Sequence, residues 1–347
     1  MTTVLVTGAF GLVGSSVVQR LLDGGATVVA TDLRTPGNIK AAAGVPGLRV
    51  EWADLTDAGA VGALLTRVAP DAVIHLAAVI PPLCYRHPGL SRRVTVDATE
   101  HLLRAAEALA TPPRFVHASS IAVYGARNPH RHTGLLTAQT PMAPTDLYGA
   151  LKAEAETLVR ASTLDWVVLR LGGVLTTVNE GGLSLDQIGF GGLLPTDGRI
   201  QTVDVRDVAA AFAAATTADV VHEILLIGGD ATHRLLQGEI TTAMSEASGM
   251  EGGMPTGRPG DPARDDTWFA TDWMDTDRAQ EALGFQHHSW PDMLAEVRAA
   301  TGWKKYPLRL VAPLLHAFLE RRAPYRHFPG TYADPNAAIA ATWGDPA

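Results

Sequence analysis

The sequence predicts an α/β fold: a doubly wound parallel sheet followed by a smaller C-terminal domain. Three observations predict it. Short β-branched runs alternate with amphipathic helical patterns through the first two-thirds of the chain. Gly8, Gly11 and Gly14 fall between the first apolar run and the first helical pattern. From about Gly172 the alternation loosens into glycine-rich stretches at 181–182 and 189–192.

In chain order, strands are expected near Val4–Val6, Val28–Thr31, Arg49–Trp52, Ala72–His75, Arg114–Ala118, Val167–Arg170 and Glu223–Ile227. Helical spacing predicts helices near Leu12–Leu22, Ala58–Thr66, Ser91–Leu109, Leu147–Ser162 and Val208–Thr216. Residues 1–172 plus 204–228 are expected to form the sheet domain. Residues 173–203 plus 229–347 are expected to form a smaller substrate-binding domain with a C-terminal tail. The Gly/Pro-rich stretch 248–262 is expected to be a surface loop.

Bulk properties narrow the function. A formal net charge of −8 argues against a nucleic-acid partner. The single cysteine, Cys84, excludes an intramolecular disulfide and reads as a small buried apolar residue. The chain runs into Thr3-Val4-Leu5-Val6-Thr7 without a basic region or apolar signal core. No apolar run reaches the roughly 18 residues of a membrane span. A cytoplasmic protein is expected.

The glycines follow a strand and open a helix. Gly8 permits a tight turn, Gly11 lets a pyrophosphate approach the backbone, and Gly14 brings helix and strand together, as in Rossmann dinucleotide sites. Phe10 and Leu12 belong to the same loop. Asp32 ends the second strand, where a carboxylate accepts hydrogen bonds from the adenosine ribose and repels a 2′-phosphate, which favours NAD over NADP; Arg34 complicates that choice. Asp54-Leu55 is placed to hold the adenine, with helix capping by Asp54 or Thr56 as the alternative. The small residues of Leu76-Ala77-Ala78 allow close approach after the fourth strand, and His75 reads as a packed strand-end residue.

Tyr148 and Lys152 lie four apart on one helix face. A cationic Lys152 beside the phenol is expected to lower the Tyr148 pKa toward neutrality, fitting it for proton exchange with a substrate oxygen. Ser120 ends a strand where doubly wound sheets bind ligands, and would donate a hydrogen bond to the same oxygen; satisfying the loop backbone is its alternative role.

These segments together resemble the extended short-chain dehydrogenase/reductase family, the superfamily of nucleotide-sugar epimerases and dehydratases. The residues that carry the resemblance are the glycine loop, Asp32, His75 to Ala78, Ser119-Ser120 with Val123-Tyr124-Gly125, and Tyr148-Gly149-Ala150-Leu151-Lys152. It continues at Leu169-Arg170, Val203 to Ala209 and Asp277 to Phe285, and covers roughly residues 1–300. It implies bound NAD, hydride transfer at a carbinol carbon and a Ser–Tyr–Lys triad of Ser120, Tyr148 and Lys152. A homodimer through the Tyr148 helix and the Ser91–Leu109 segment follows by analogy.

Departures bear on the substrate. Ile121 and Ala122 stand where the family's 4,6-dehydratases carry an acid and a base, so dehydratase activity is not expected. Gly173 replaces an asparagine that helps hold a nucleotide diphosphate, and Ile200 replaces an arginine, with Arg199 one position away. Arg258, in Arg258-Pro259-Gly260-Asp261, resembles a diphosphate-binding arginine. Ser119, Gly173, Arg199 and Arg258 are therefore the candidate substrate residues. Thr95 stands where the family usually has asparagine.

The histidines at 130, 132, 287 and 288 lack metal-ligand spacing, and no metal is expected. Trp268, Phe269 and Trp273 are candidates for either the core or the substrate pocket. Leu308 to Leu319 suggests an amphipathic helix. A lid, a dimer contact, or membrane-surface attachment through Lys304, Lys305, Arg309, Arg321 and Arg322 are its readings. The leading functional expectation is an NAD-dependent dehydrogenase or ketoreductase of a small hydroxy compound. A sugar or nucleotide-sugar epimerase holding NAD tightly is the second reading, and a non-catalytic NAD sensor the third.

Overall fold

Seven parallel strands form the main sheet of the computed structural model, which describes residues 2–178, 185–255, 257–328 and 330–344. The glycine-rich stretch at 181–182 lies outside the described residues. The strands are β1 (Thr3–Thr7), β2 (Thr27–Thr31), β3 (Arg49–Val50), β4 (Ala72–His75), β5 (Arg114–Ser120), β6 (Trp166–Leu171) and, after two strands of a smaller sheet, β9 (Glu223–Ile227). Their spatial order is β3-β2-β1-β4-β5-β6-β9. The order reverses direction between β1 and β4, so a crevice opens at the carboxyl ends of those two strands.

The strands are apolar on both faces because helices cover both. Val4, Val6, Val28, Ile74 and Val116 face one core, packed by α1 (Leu12–Asp23) and the later helix over Val205–Ala215. Leu5, Val29, Val73, Phe115 and Val168 face the other. That second core is covered by α3 (Ala58–Val68), α6 (Ala98–Glu107) and α7 (Leu147–Ala161); α2 (Pro36–Ala43) lies on the surface. Period-two alternation along each strand sends successive side chains to opposite cores.

One expected helix is divided. The Ser91–Leu109 segment is α5 (Pro88–Arg92), a π-helical turn (Arg93–Asp97) and α6, preceded by the short α4 (Leu83–Arg86). The Thr99 hydroxyl donates to the Thr95 carbonyl at 2.7 Å, inside this turn. Hydroxyl bonding back to a carbonyl of the preceding turn loosens the regular helical ladder. The third strand is two residues shorter than expected. The helix expected to follow Asp204 starts at Val205, where the Asp204 carboxylate caps it by accepting from the Arg206 amide at 2.8 Å.

A second sheet joins β7 (Gly173–Leu175), β8 (Arg199–Asp204) and β10 (Arg234–Leu236), with β8 parallel to β7 and antiparallel to β10. Around it lie α8 (Leu185–Gly191), α10 (Gln237–Ala247), α11 (Asp277–Leu283) and α12 (Trp290–Thr301), with α9 (Val205–Ala215) returning the chain to the main sheet. The C-terminal stretch forms α13 (Lys305–Arg322) and α14 (Pro335–Trp343). Ile339 and Trp343 of α14 share an apolar cluster with Tyr85, Phe190 and Tyr148. The tail therefore covers one side of the crevice.

Candidate active site

A cavity of about 650 Å³ occupies the crevice. It runs from the glycine loop (Gly8, Gly11, Leu12, Gly14) past Asp32, Asp54 and Leu55, along Leu76-Ala77-Ala78, to Ser120, Tyr148 and Lys152. Eleven residues named from separate parts of the sequence thus line one space, together with the backbone-bearing Tyr148–Lys152 face of α7.

The glycine requirement is steric. Gly8 has φ +64°, and a Cβ there would sit 2.9 Å from the Ala77 nitrogen. A Cβ on Gly14 would sit 2.1 Å from the Gly8 carbonyl oxygen, so α1 can approach β1 only without it. The N-terminus of α1 has no side-chain cap and no acidic residue in its first turn, leaving its amides facing the cavity. Asp32 accepts from the Phe10 amide at 3.2 Å and the Leu33 amide at 2.8 Å, which holds its carboxylate at the mouth of the loop.

Tyr148 is set in place from both ends of its turn. Asp146 caps α7, accepting from the Tyr148 and Gly149 amides at 3.2 Å each. The Tyr85 hydroxyl donates to the same carboxylate at 2.6 Å. The Ser120 hydroxyl stands beside the Tyr148 phenol, where it favours the ionised form. Ser120 also accepts from the Ala122 amide at 3.2 Å, so it serves the loop backbone and the site together. Lys152, buried, donates to the Ala118 carbonyl at 2.7 Å.

The electrostatics differ from the expectation. Burial pushes the Tyr148 phenol up, and the Ser120 hydroxyl opposes that only in part. Lys152 itself is pushed down to about 8 by burial. Its ammonium points at the Ala118 carbonyl, and desolvation of the phenol outweighs any help from it. Behind Lys152, His75 bridges the hydroxyls of Thr7 (2.8 Å) and Thr99 (3.0 Å). Burial, and then the Lys152 charge, lower His75 to about 3 and His117 well below its ordinary value, so both rings are neutral. His75 is a packed strand-end residue.

Several expected residues stand elsewhere. Phe10 contributes its amide to Asp32, but its ring packs on Trp52 with centroids 5.5 Å apart, outside the cavity lining. Arg34 is exposed and also outside it. Asp54 does line the cavity, its carboxylate also accepting from the Thr56 amide and hydroxyl at 2.9 and 2.8 Å; the cap of α3 is Asp57, not Asp54 or Thr56. Ser119 borders the cavity, yet its hydroxyl donates away from it to Glu156 at 3.0 Å. Gly173 packs against Ile200, its neighbours Gly172 and Val174 forming the wall.

The candidate diphosphate arginines are committed to protein. Arg199 donates to the His132 carbonyl at 2.9 Å and stacks over Trp273 at 4.5 Å. Arg258 donates to the Phe328 carbonyl at 3.1 Å and lies over Tyr325 at 5.4 Å, under the tail. Trp268 and Trp273 are packing residues whose indole nitrogens donate to the Asp261 and Leu235 carbonyls. His288 pairs with Asp207 at 2.6 Å, and no metal-binding group occurs among the described residues.

Two parts of the site escaped sequence reasoning. Asp146 carries an ordinary N-cap signal that was available just before the Tyr148 helix. The other part is a buried ion pair. Arg170 donates to both Glu156 oxygens, at 2.9 and 2.5 Å, and to the Tyr124 hydroxyl at 2.6 Å, which in turn donates to the Thr137 carbonyl. It ties β6, α7 and the turn after Ser120 into one block.

Residues 4–181 match the model of the NAD-dependent epimerase/dehydratase family. The chain belongs to this family. NAD is the family's cofactor, and its members are enzymes. Among curated relatives, UDP-arabinose 4-epimerase 1 of Arabidopsis thaliana is 33% identical over 201 residues, covering 53% of this chain and 45% of the relative. D-erythronate dehydrogenase of Cupriavidus necator is 33% identical over 183 residues, 48% of this chain and 54% of the relative. The chain spans about half the length of the curated relatives it matches. The UDP-glucose 4-epimerase of Thermotoga maritima, solved with UDP-glucose, shares the fold with TM-score 0.69 at 20% identity, over 88% of this chain and 99% of that one. Among the described residues no helix is long and apolar enough to cross a membrane.

Proposed function

We propose that this chain is an NAD-dependent epimerase that inverts a carbinol carbon of a sugar or nucleotide sugar. One observation carries the reading: Ser120, Tyr148 and Lys152 line the same cavity as the glycine loop and Asp32. The family and the epimerase relatives support this reading over the net dehydrogenase that the sequence alone favoured.

The residues fit NAD. Gly8, Gly11, Leu12 and Gly14 would admit its pyrophosphate at the uncapped start of α1, and Asp32 would accept from the adenosine ribose hydroxyls. Asp54 and Leu55 would hold the adenine, Leu76, Ala77 and Ala78 the middle of the dinucleotide, and Lys152 the nicotinamide ribose. Bound NAD supplies the acceptor, and afterwards the donor, of the carbon-bound hydrogen.

Tyr148 takes the carbinol proton and later returns it. Ser120 donates to the same oxygen, holding it within reach of the phenol. Burial makes free phenolate costly, so proton transfer couples to charge developing on the substrate oxygen rather than preceding it. Lys152 holds the Ala118 carbonyl near the end of β5, beside Ser120. Ile121 and Ala122 follow Ser120 and carry no protons, which sets aside water elimination. The intact triad likewise weighs against a pure sensor. A homodimer through α7 and the α5–α6 segment, and a cytoplasmic location, belong to the same reading.

A second reading, net oxidation of a small hydroxy compound, is favoured by one observation. Arg199 and Arg258 are both engaged by protein groups, leaving neither aimed at a diphosphate. Incubation with NAD and UDP-arabinose or UDP-glucose separates the two. The epimerase forms a new epimer by proton NMR without net absorbance at 340 nm. Stoichiometric NADH and a released ketone overturn it.

A further inference from the structure

We propose that α13 docks this protein onto an anionic lipid bilayer, lying flat in the headgroup layer. The proposal is independent of the reaction assigned above.

The helix presents two opposed faces. Ala312 and Leu319 are buried and hold it to the body of the protein. At 100° per residue they lie opposite a stripe of Tyr306, Leu310 and Leu314, which the preceding turn extends to Trp303 and the end of the helix to Phe318. Trp303 is 73% exposed, Tyr306 63%, Leu310 81% and Leu314 73%. Leu12, Leu33, Ile80 and Leu90, also exposed, line the cofactor cavity; the row on α13 lies outside that cavity.

Cations flank the row. Lys304, Lys305, Arg309, Arg321 and Arg322 are exposed, in a chain of net charge −8; the carboxylates beside them are Glu320 of the same stretch and Glu251, which lies 4.0 Å from Arg309. Glu320 is itself occupied by the Tyr325 hydroxyl. Arg322 lies over the Phe318 ring at 4.3 Å and Lys305 over Tyr306 at 5.2 Å, so cation and aromatic share one edge. An apolar stripe bearing Trp and Tyr and bordered by basic side chains matches the layering of an anionic interface: acyl chains below, headgroup charge at the sides. A second copy of this chain matches poorly, because a two-fold contact would bring the same five cations against their own equivalents.

Flotation of the full chain with vesicles tests this. Vesicles of about 30% phosphatidylglycerol in phosphatidylcholine are compared with pure phosphatidylcholine, at low salt and at about 0.5 M salt, where surface charges are screened. The wild-type chain is expected to float with the anionic vesicles, and at least tenfold less with neutral vesicles or at high salt. Leu310→Glu/Leu314→Glu is expected to lose binding at least tenfold with circular dichroism and oligomeric state unchanged, both positions being solvent-facing. Lys305→Glu/Arg309→Glu should lose it to a similar degree. Failure of the wild type to float, or flotation of the leucine double variant as well as the wild type, overturns the proposal. So does a leucine variant that dissociates a dimer in light scattering without altering flotation, since the stripe would then serve a second copy.

Discussion

At Lys152, stability and activity pull in opposite directions. Burial lowers its pKa from 10.5 to about 8, whereas in the unfolded chain it keeps its ordinary value. The folded-state value is the lower one. Above the unfolded value the lysine is neutral in both states and costs nothing; as pH falls from 10.5 toward 8 the unfolded chain takes up a proton that the folded protein resists, and stability is lost until, below about 8, both states are charged and the penalty is constant. At pH 7 the difference between 10.5 and about 8 corresponds to about 3 kcal/mol. Lys152→Met, similar in length and uncharged, removes that penalty and should therefore stabilise the nucleotide-free protein by about 3 kcal/mol at pH 7. By about pH 9.5 the wild-type penalty has shrunk by about 2 kcal/mol, and the advantage of the variant should fall to about 1 kcal/mol. Urea unfolding at the two pH values reads both numbers, and kcat of the variant should fall at least a hundredfold. A variant less stable than wild type at pH 7, with a difference that does not change with pH, would refute the argument that the ammonium is a buried, poorly solvated charge.

Three further outcomes are expected. Gly14→Ala places a Cβ 2.1 Å from the Gly8 carbonyl oxygen, so NAD affinity by isothermal titration should drop about a hundredfold or more; unchanged affinity would remove the loop from the cofactor site. Tyr148→Phe should lower kcat by about 10² to 10⁴ while NAD binds within a few-fold of wild type, and normal turnover would deny Tyr148 its proton-transfer role. Arg170→Met strands Glu156 as a buried charge and should cost about 3–5 kcal/mol, whereas Arg170→Met/Glu156→Leu should recover most of it; additive losses in this cycle would show that the pair is not coupled.

The sheet was legible because its signals are local. Val4 to Val6, Val28 to Thr31 and Ala72 to His75 are continuous apolar runs, as strands buried on both faces must be, and the glycines mark where β1 meets α1. Ser120, Tyr148 and Lys152 were legible because a strand end and a four-residue helix spacing fix where side chains emerge. Properties that depend on tertiary surroundings were not. The Tyr148 pKa was misjudged because spacing reports adjacency on a helix face, while burial and the Ala118 carbonyl decide where the ammonium points. Ser119 is a substrate candidate by sequence, yet strand alternation turns its hydroxyl to Glu156, away from the side Ser120 faces. Arg199 and Arg258 are candidates by their places in the family pattern, and only the fold shows Trp273 and the Phe328 carbonyl already engaging them. The π-helical turn at Arg93–Asp97 leaves no clear mark in a pattern that continues through it.

Retention of an isotope at the inverted carbon tests the central claim most directly. A sugar substrate carrying deuterium on the carbinol carbon is converted in ordinary water, and the product is read by mass spectrometry and NMR, with Tyr148→Phe as control. The account predicts an epimer that keeps its deuterium, no net reduced cofactor, and no conversion by the control. Loss of the label to solvent, or conversion that persists without the Tyr148 hydroxyl, would contradict it.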